Sequence, residues 1–205
     1  MIITLTTLPV RWNNIKPCLE SLINQDYDDF EIHLNLPLKS DSFDGFEEGS
    51  IEDINPKIKL FYVKDLGPIT KVYYTLKRFK NQNQRIISVD DDIVYHKDML
   101  NHYDKWIKKL PNDTLGYNGI NLLVDKFEPV REVDTPTPAE ILEGYKSVCY
   151  LSSHFEDDFF DDFYKINAYD DPVLSGYLKI KGINRIVIPH SHPIVTGKQI
   201  GRAHV

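Results

Sequence analysis

The sequence is poor in cysteine: Cys18 and Cys149 are the only two in 205 residues. One disulfide is arithmetically possible, but two isolated thiols fit a reducing compartment better. No run approaches the ~20 apolar residues of a membrane-spanning helix. The opening MIITLTTLPVR lacks the basic stretch and small-residue cleavage site of a secretory leader, and reads directly as a first strand. Basic residues are outnumbered, 24 Lys and Arg against 31 Asp and Glu, for a formal net charge of −7. A surface that coats nucleic acid wants the opposite sign. Internal repeats and low-complexity linkers are missing too. The expectation is a cytoplasmic protein with no integral membrane segment and no nucleic-acid partner.

What is present is enough for a core. Hydrophobic residues make up 41% and aromatics 12%, which argues against disorder, and 205 residues make one domain the default. The last six residues, IGRAHV, back-translate as ATCGGAAGAGCACACGTC, a common sequencing-adapter read, and Gln199 fits the bases just before it. Residues 1–198 are therefore expected to form the domain, with 199–205 a non-native tail.

Along the chain, strand-like and helix-like segments alternate. Residues 2–6 are rich in β-formers, and NNIKPCLESLIN then carries apolar residues at 15, 18, 19, 22 and 23, a helical spacing with Pro17 in the first turn. FEIHLNL and KIKLFYV read as the second and third strands, separated by a polar loop at 38–50 that holds Gly45 and Gly49. GPITKVYYTLKRF is a turn and a helix, RIISV the fourth strand, and KDMLNHYDKWIKKL a helix with apolar positions 99, 100, 103, 106, 107 and 110. Strands joined by crossover helices imply a mostly parallel sheet with helices on both faces, and such sheets bind ligands beyond the carboxyl ends of their strands. The second half is less regular. One or two strands are expected in LGYNGINLLV, a short strand around 147–151, a helix in DDPVLSGYLKIKG and a last strand in INRIVIP.

The fourth strand runs straight into Asp90, Asp91 and Asp92, followed by apolar Ile93 and Val94. Carboxylates this close repel, and burying even one without a partner costs several kcal/mol, roughly. Something positive is expected there. Asp-x-Asp at a strand end suits Mn²⁺ or Mg²⁺, which prefer carboxylate oxygens and water. Thr6–Arg11 after the first strand and Asp65–Lys71 after the third belong to the same edge of the sheet. Lys71 falls in the first turn of a helix, where anions are favoured, although a solvated helix lysine would look the same.

Four patches, in order and spanning most of the chain, resemble glycosyltransferases of the GT-A type, close to family 2. They are ITLTTLPVRWNNIKPCLESLINQ, DLGPITKVYYTL, IISVDDDIVY and YDDPVLSGYLKIKGINRIVIP. The resemblance implies an α/β, Rossmann-like sheet flanked by helices, with a less regular acceptor-side C-terminal half. It implies metal-dependent transfer of a sugar from a nucleotide-sugar, a UDP-sugar, to a glycan hydroxyl, with inversion. Asp90 and Asp92 would hold the metal on the donor diphosphate, and Asp91 would face the ribose or sugar. Thr6, Thr7, Pro9 and Arg11 would cradle base and ribose, Asp65 would accept from a uracil ring, and Lys71 would meet the phosphates. The family's general base lies at the start of a late helix, the place of Asp170 and Asp171. N-capping ahead of Pro172 is the other reading of that pair. His190 and His192, two apart after the last strand, would offer a further metal ligand. Gly144 and Tyr145 would line the acceptor sugar.

Rival readings predict different things. In a phosphatase of the haloacid dehalogenase type Asp90 would be a nucleophile and Asp92 an acid/base, but that motif normally follows the first strand. A nucleotidyltransferase would want a Gly-rich loop where TTLPVRW has no glycine. A catalytically inactive nucleotide- or carbohydrate-binding protein of the same fold is the third. HFEDDFFDDFY is assigned no chemistry.

Overall fold

A computed structural model describes residues 1–190 except Ser42, Glu52, Asp53 and 166–168, together with the backbone of Val195–Thr196. The remaining positions, His192 and the 199–205 tail among them, lie outside the described residues.

The first half builds β1 (Ile2–Thr6), a 3₁₀ turn at Pro9–Asn14, α1 (Lys16–Ile23), β2 (Glu31–Pro37), β3 (Ile58–Val63), α2 (Thr70–Phe79), β4 (Arg85–Ser88), β5 (Val94–Tyr95) and α3 (Met99–Ile107). The second half adds eight short strands: β6 (Thr114–Gly116), β7 (Gly119–Leu122), β8 (Phe127–Val130), β9 (Thr137–Pro138), β10 (Ile141–Leu142), β11 (Val148–Leu151), β12 (Arg185–Val187) and β13 (Val195–Thr196). Its helices are α4 (Asp157–Asp161) and α5 (Asp170–Ile180).

The central sheet has eight strands in the order β3-β2-β1-β4-β11-β6-β12-β9. The run β3-β2-β1-β4 is parallel throughout, β11 lies antiparallel between β4 and β6, and β12 pairs parallel with β6. A small antiparallel sheet, β10-β7-β8, stands beside it.

Strand residues alternate between two cores, as a period of two requires. Ile3, Leu5 and Ile87 face one core with Cys18, Leu22, Met99 and Tyr103, so α1 and α3 cover that side. Ile2 and Ile86 face the other core with Val72, Leu76, Phe159 and Leu174, so α2, α4 and α5 cover the opposite side. The helical spacing read at 15–23 and 99–110 is the buried face of α1 and α3. Both cysteines are buried and free of disulfide. Among the described residues, no helix is long and apolar enough to cross a membrane.

This topology fixes where a ligand can go. With four adjacent strands parallel, the segments after β1, β2, β3 and β4 emerge at one edge. The carboxylates, the Thr6–Arg11 segment and the Asp65–Lys71 segment therefore share it.

Candidate active site

At that edge lies a cavity of about 660 Å³, within the ~300–1,000 Å³ typical of small-molecule sites. Thr6, Thr7, Leu8 and Arg11 line it from the segment after β1, and Pro37 and Phe43 from the segment after β2. Asp65, Gly67 and Pro68 follow β3, Lys71 sits on α2, and Val89, Asp90, Asp91 and Asp92 follow β4. Eight of the residues singled out in the sequence thus meet in one cavity. Pro9 starts the 3₁₀ turn and is not among its lining residues.

Asp90 and Asp91 are held in different ways. Asp91 is buried at 8% exposure and turns inward: Thr7 donates its hydroxyl to Oδ2 at 2.6 Å, and Arg11 Nη1 donates to Oδ1 at 2.8 Å. The ribose-facing role expected for Asp91 therefore competes with a bracing one, since both of its oxygens fasten the segment after β1. Asp90 is pinned through its backbone. Its N–H donates to the buried Tyr95 hydroxyl at 2.8 Å, and Cys18 Sγ donates to its carbonyl at 3.4 Å. Its side chain, 30% exposed, points at Lys71. Asp92 is half-buried and lines the cavity.

A positive partner to these carboxylates is Lys71, which the sequence reading places at the donor phosphates and not at the aspartates. It is no solvated helix lysine. At 9% exposure, its Nζ lies 3.0 Å from Asp90 Oδ1 and 2.7 Å from Asp170 Oδ2. Burial alone would push the ammonium down; Asp90, Asp170 and Asp171 outweigh it and hold it above the usual lysine value. Its backbone is fixed as well, its carbonyl accepting from the buried Thr4 hydroxyl at 2.6 Å and from Asn35 at 3.3 Å. After β3, Asp65 Oδ1 accepts from Gly67 N at 3.0 Å and from the Thr70 hydroxyl at 3.3 Å. The turn needs Gly67 because its φ is +73°.

Asp170 and Asp171 begin α5, and Tyr169 precedes them at the N-cap position, which no side chain caps. The capping alternative for this pair is therefore not what the structure displays. Asp171 Oδ2 instead accepts from Gly144 N at 3.0 Å. Its Oδ1 is buried and has no hydrogen-bond partner among the described residues. Burial first, and the neighbouring Asp170 second, push its carboxyl up to about 7, against the opposing pull of Lys71 and the Gly144 N–H. A carboxyl poised there, with one oxygen uncommitted, suits proton transfer near neutral pH.

Gly144 closes the space around this pair. A Cβ there would lie 2.8 Å from Asp171 Oδ1 and 3.0 Å from Lys71 Nζ. The turn that presents it ends at Ser147, whose φ of +122° is rare for a residue with a side chain. The buried Tyr103 hydroxyl holds Ser147 there, 2.9 Å from its Oγ and 3.1 Å from its carbonyl. Tyr145 is half-buried, and Asn118 donates its amide to the Tyr145 hydroxyl. His190 is half-buried and packs edge-to-face on Tyr117 at 5.5 Å. The proposed partner histidine, His192, lies outside the described residues.

Sequence reading missed several of these parts. Cys18 falls on the apolar face of a predicted helix, Tyr95 follows the apolar Ile93 and Val94, and Asn118 lies in the irregular second half, so none carries a plain signal. Phe43 was passed over inside a loop classed as polar.

No protein-family model matches the chain, and no curated protein matches it. Solved structures do match. S. aureus TarS residues 1–349 aligns with TM-score 0.58 at 15% identity, over 90% of this chain and 57% of that one. The same TarS segment in complex with UDP-GlcNAc gives TM-score 0.61 at 15% identity, over 100% of this chain and 61% of that one. In complex with UDP it gives 0.54 at 15% identity, over 90% and 56%. This chain thus spans no more than 61% of these TarS segments. TarS is a GT-A-type glycosyltransferase, and the likeness shows that this chain has the GT-A fold.

Proposed function

We propose that this protein is a glycosyltransferase that moves a sugar from a nucleotide-sugar, a UDP-sugar, to a glycan hydroxyl, inverting the anomeric carbon. The observation that carries this reading is the Lys71 bridge. One buried ammonium ties a carboxylate of the cavity, Asp90, to the carboxylate pair at the head of α5. Glycosyl transfer needs these two kinds of group side by side: charge for a leaving diphosphate and a base for the attacking hydroxyl. The UDP-GlcNAc and UDP held by TarS agree with a uridine nucleotide. The phosphatase reading wanted its paired aspartates after the first strand, whereas Asp90–Asp92 follow the fourth.

The donor's nucleotide would lie along the cavity, its diphosphate toward Lys71 and Asp90. Asp90 and Asp92 fit a divalent cation, Mn²⁺ or Mg²⁺. Both line the cavity and carry hard carboxylate oxygens, and such ions commonly take one or two carboxylates and leave the rest to water and substrate phosphates. Among the described residues no group of three or more His, Cys, Asp or Glu is assembled around one point. When bound, the ion would neutralise charge on the departing diphosphate. His190 remains the proposal for a further ligand.

Asp171 is the proposed base. It accepts the acceptor hydroxyl's proton as that oxygen bonds to the anomeric carbon. The bond from that carbon to the diphosphate oxygen breaks, and UDP leaves with the electron pair. Asp170, held by Lys71, steadies the pair. Tyr145 offers a ring on which the apolar face of an acceptor pyranose can stack, and Gly144 holds the base from behind.

Calorimetric titration of UDP, with and without Mn²⁺, tests the donor side. The expected result is binding that needs Mn²⁺ in the wild type and is lost in Asp92→Ala. An absence of heat with the wild type in both conditions would overturn the uridine-nucleotide reading. Gly144→Ala tests the acceptor side. The added methyl, 2.8 Å from Asp171 Oδ1, must displace that carboxylate, and misplacement of a reacting group by about 1 Å can cost about 100-fold in rate. A loss of that order in kcat, with UDP affinity within twofold of wild type, is expected. Unchanged kcat would remove Asp171 from the reaction.

A further inference from the structure

We propose that Phe43 is the platform on which the donor's nucleobase stacks. The inference deepens the proposed function and rests on it.

Backbone hydrogen bonds tie together the described residues around Phe43 in the loop after β2. Phe46 N–H donates to the Pro37 carbonyl at 2.7 Å, and Lys39 N–H donates back to the Phe46 carbonyl at 3.0 Å. Inside this clasp Ser40 and Phe43 exchange backbone hydrogen bonds of 2.9 and 3.2 Å. The fold-back is so tight at Gly45 that a Cβ would lie 2.4 Å from the backbone of Pro37 and Leu38. Phe46 is buried and meets the Trp12 ring edge-on at 5.7 Å, which locks the loop to the segment after β1. Phe43 is fixed between these anchors, half-buried, and lines the cavity.

Its place across the sheet says what it meets. Strand order puts β2 and β3 on one side of β1 and β4 on the other. At ~4.8 Å per strand, the segment carrying Phe43 emerges about 10 Å from the one carrying Asp90. Phe43, Pro37 and Leu8 give the cavity an apolar and aromatic wall, while Lys71 and Asp90 give it charge. Phosphate and metal have no use for an aromatic wall, whereas the face of a nucleobase does. The acceptor-side groups Gly144, Tyr145 and Asp171 are not among the residues lining this cavity, which puts Phe43 on the donor side.

The test is UDP titration, in the presence of Mn²⁺, of the wild type and of Phe43→Tyr, Phe43→Leu and Phe43→Ala. Tyrosine keeps the aromatic face, leucine keeps most of the apolar volume without it, and alanine removes both. Base–aromatic stacking supports a loss of about 10-fold in affinity for leucine and alanine, with tyrosine within twofold of wild type. Leucine binding as tightly as phenylalanine, or tyrosine as weakly as alanine, would overturn the inference alone. Wild-type protein that binds no UDP would overturn the proposed donor as well, so the two failures are distinguishable.

Discussion

Asp171→Asn is expected to lose sugar transfer by about 10²–10⁴-fold, the usual contribution of a general base, while binding UDP as the wild type does. The amide can still accept from Gly144 N but cannot take a proton, and Asp171 does not line the donor cavity. The pH profile identifies the group. With the carboxyl raised to about 7 by burial and by Asp170, wild-type rate should climb as pH rises through 7, and the variant's residual rate should lack that limb. Stability should move the other way. An unfolded aspartate titrates near ~3.9, so between there and about 7 the folded state holds a proton that the unfolded state has released. Stability conferred by Asp171 is thus present at low pH and falls as pH rises through that window. The amide carries no such penalty, so the variant's melting temperature should exceed the wild type's at pH 8 by more than at pH 4. Asp170→Asn is the control. If it abolishes the alkaline limb and Asp171→Asn leaves it intact, the base is Asp170.

The parallel half of the fold was legible because its residues repeat a simple contrast. Strands of continuous apolar residues such as Ile86 and Ile87 alternate with helices such as α3, whose Met99, Leu100 and Tyr103 fall on one face. From that alternation the sheet's binding edge follows, and with it the meeting of Thr6, Asp65, Lys71 and Asp90. The second half was less legible. Strands of two to four residues, such as β9 and β10, carry too few positions to show a period. Their stability comes from pairing with distant strands, which no local pattern encodes. The partners of the three aspartates were hidden for the same reason. The need for a cation was readable, but that Arg11 serves Asp91 and Lys71 serves Asp90 depends on contacts 80 and 19 residues apart in sequence. Phe43 was hidden by composition. Its loop is polar on average, and the two aromatics held in place by Gly45 are the signal that an average conceals.

Lys71→Met should be the most damaging single change to the protein as a whole. Methionine matches the stem's length and apolar character, so the experiment removes a charge and little volume. It leaves Asp90 and Asp170 facing each other without a cation. Breaking a buried pair in this way costs about 3–5 kcal/mol, and the lower end applies because Asp90 is 30% exposed while Asp170 is 12% exposed. Urea denaturation at pH 8 should show a loss of about 3 kcal/mol, and acidification should narrow the gap, because protonated carboxyls no longer require the ammonium. UDP affinity should fall too. Lys71→Arg separates two accounts of that loss. An arginine serves a phosphate at least as well as a lysine, so a residue needed only for the diphosphate would tolerate it. Here the ammonium is enclosed, so close to Gly144 that even a Cβ there would sit 3.0 Å away, and a planar guanidinium cannot reach both Asp90 and Asp170 from that space without moving Asp171. Arginine should therefore restore part of UDP binding and little of the transfer rate. Full recovery of transfer in Lys71→Arg would reduce Lys71 to a phosphate contact. Recovery of binding alone would mean that this lysine holds donor and base carboxylates in register.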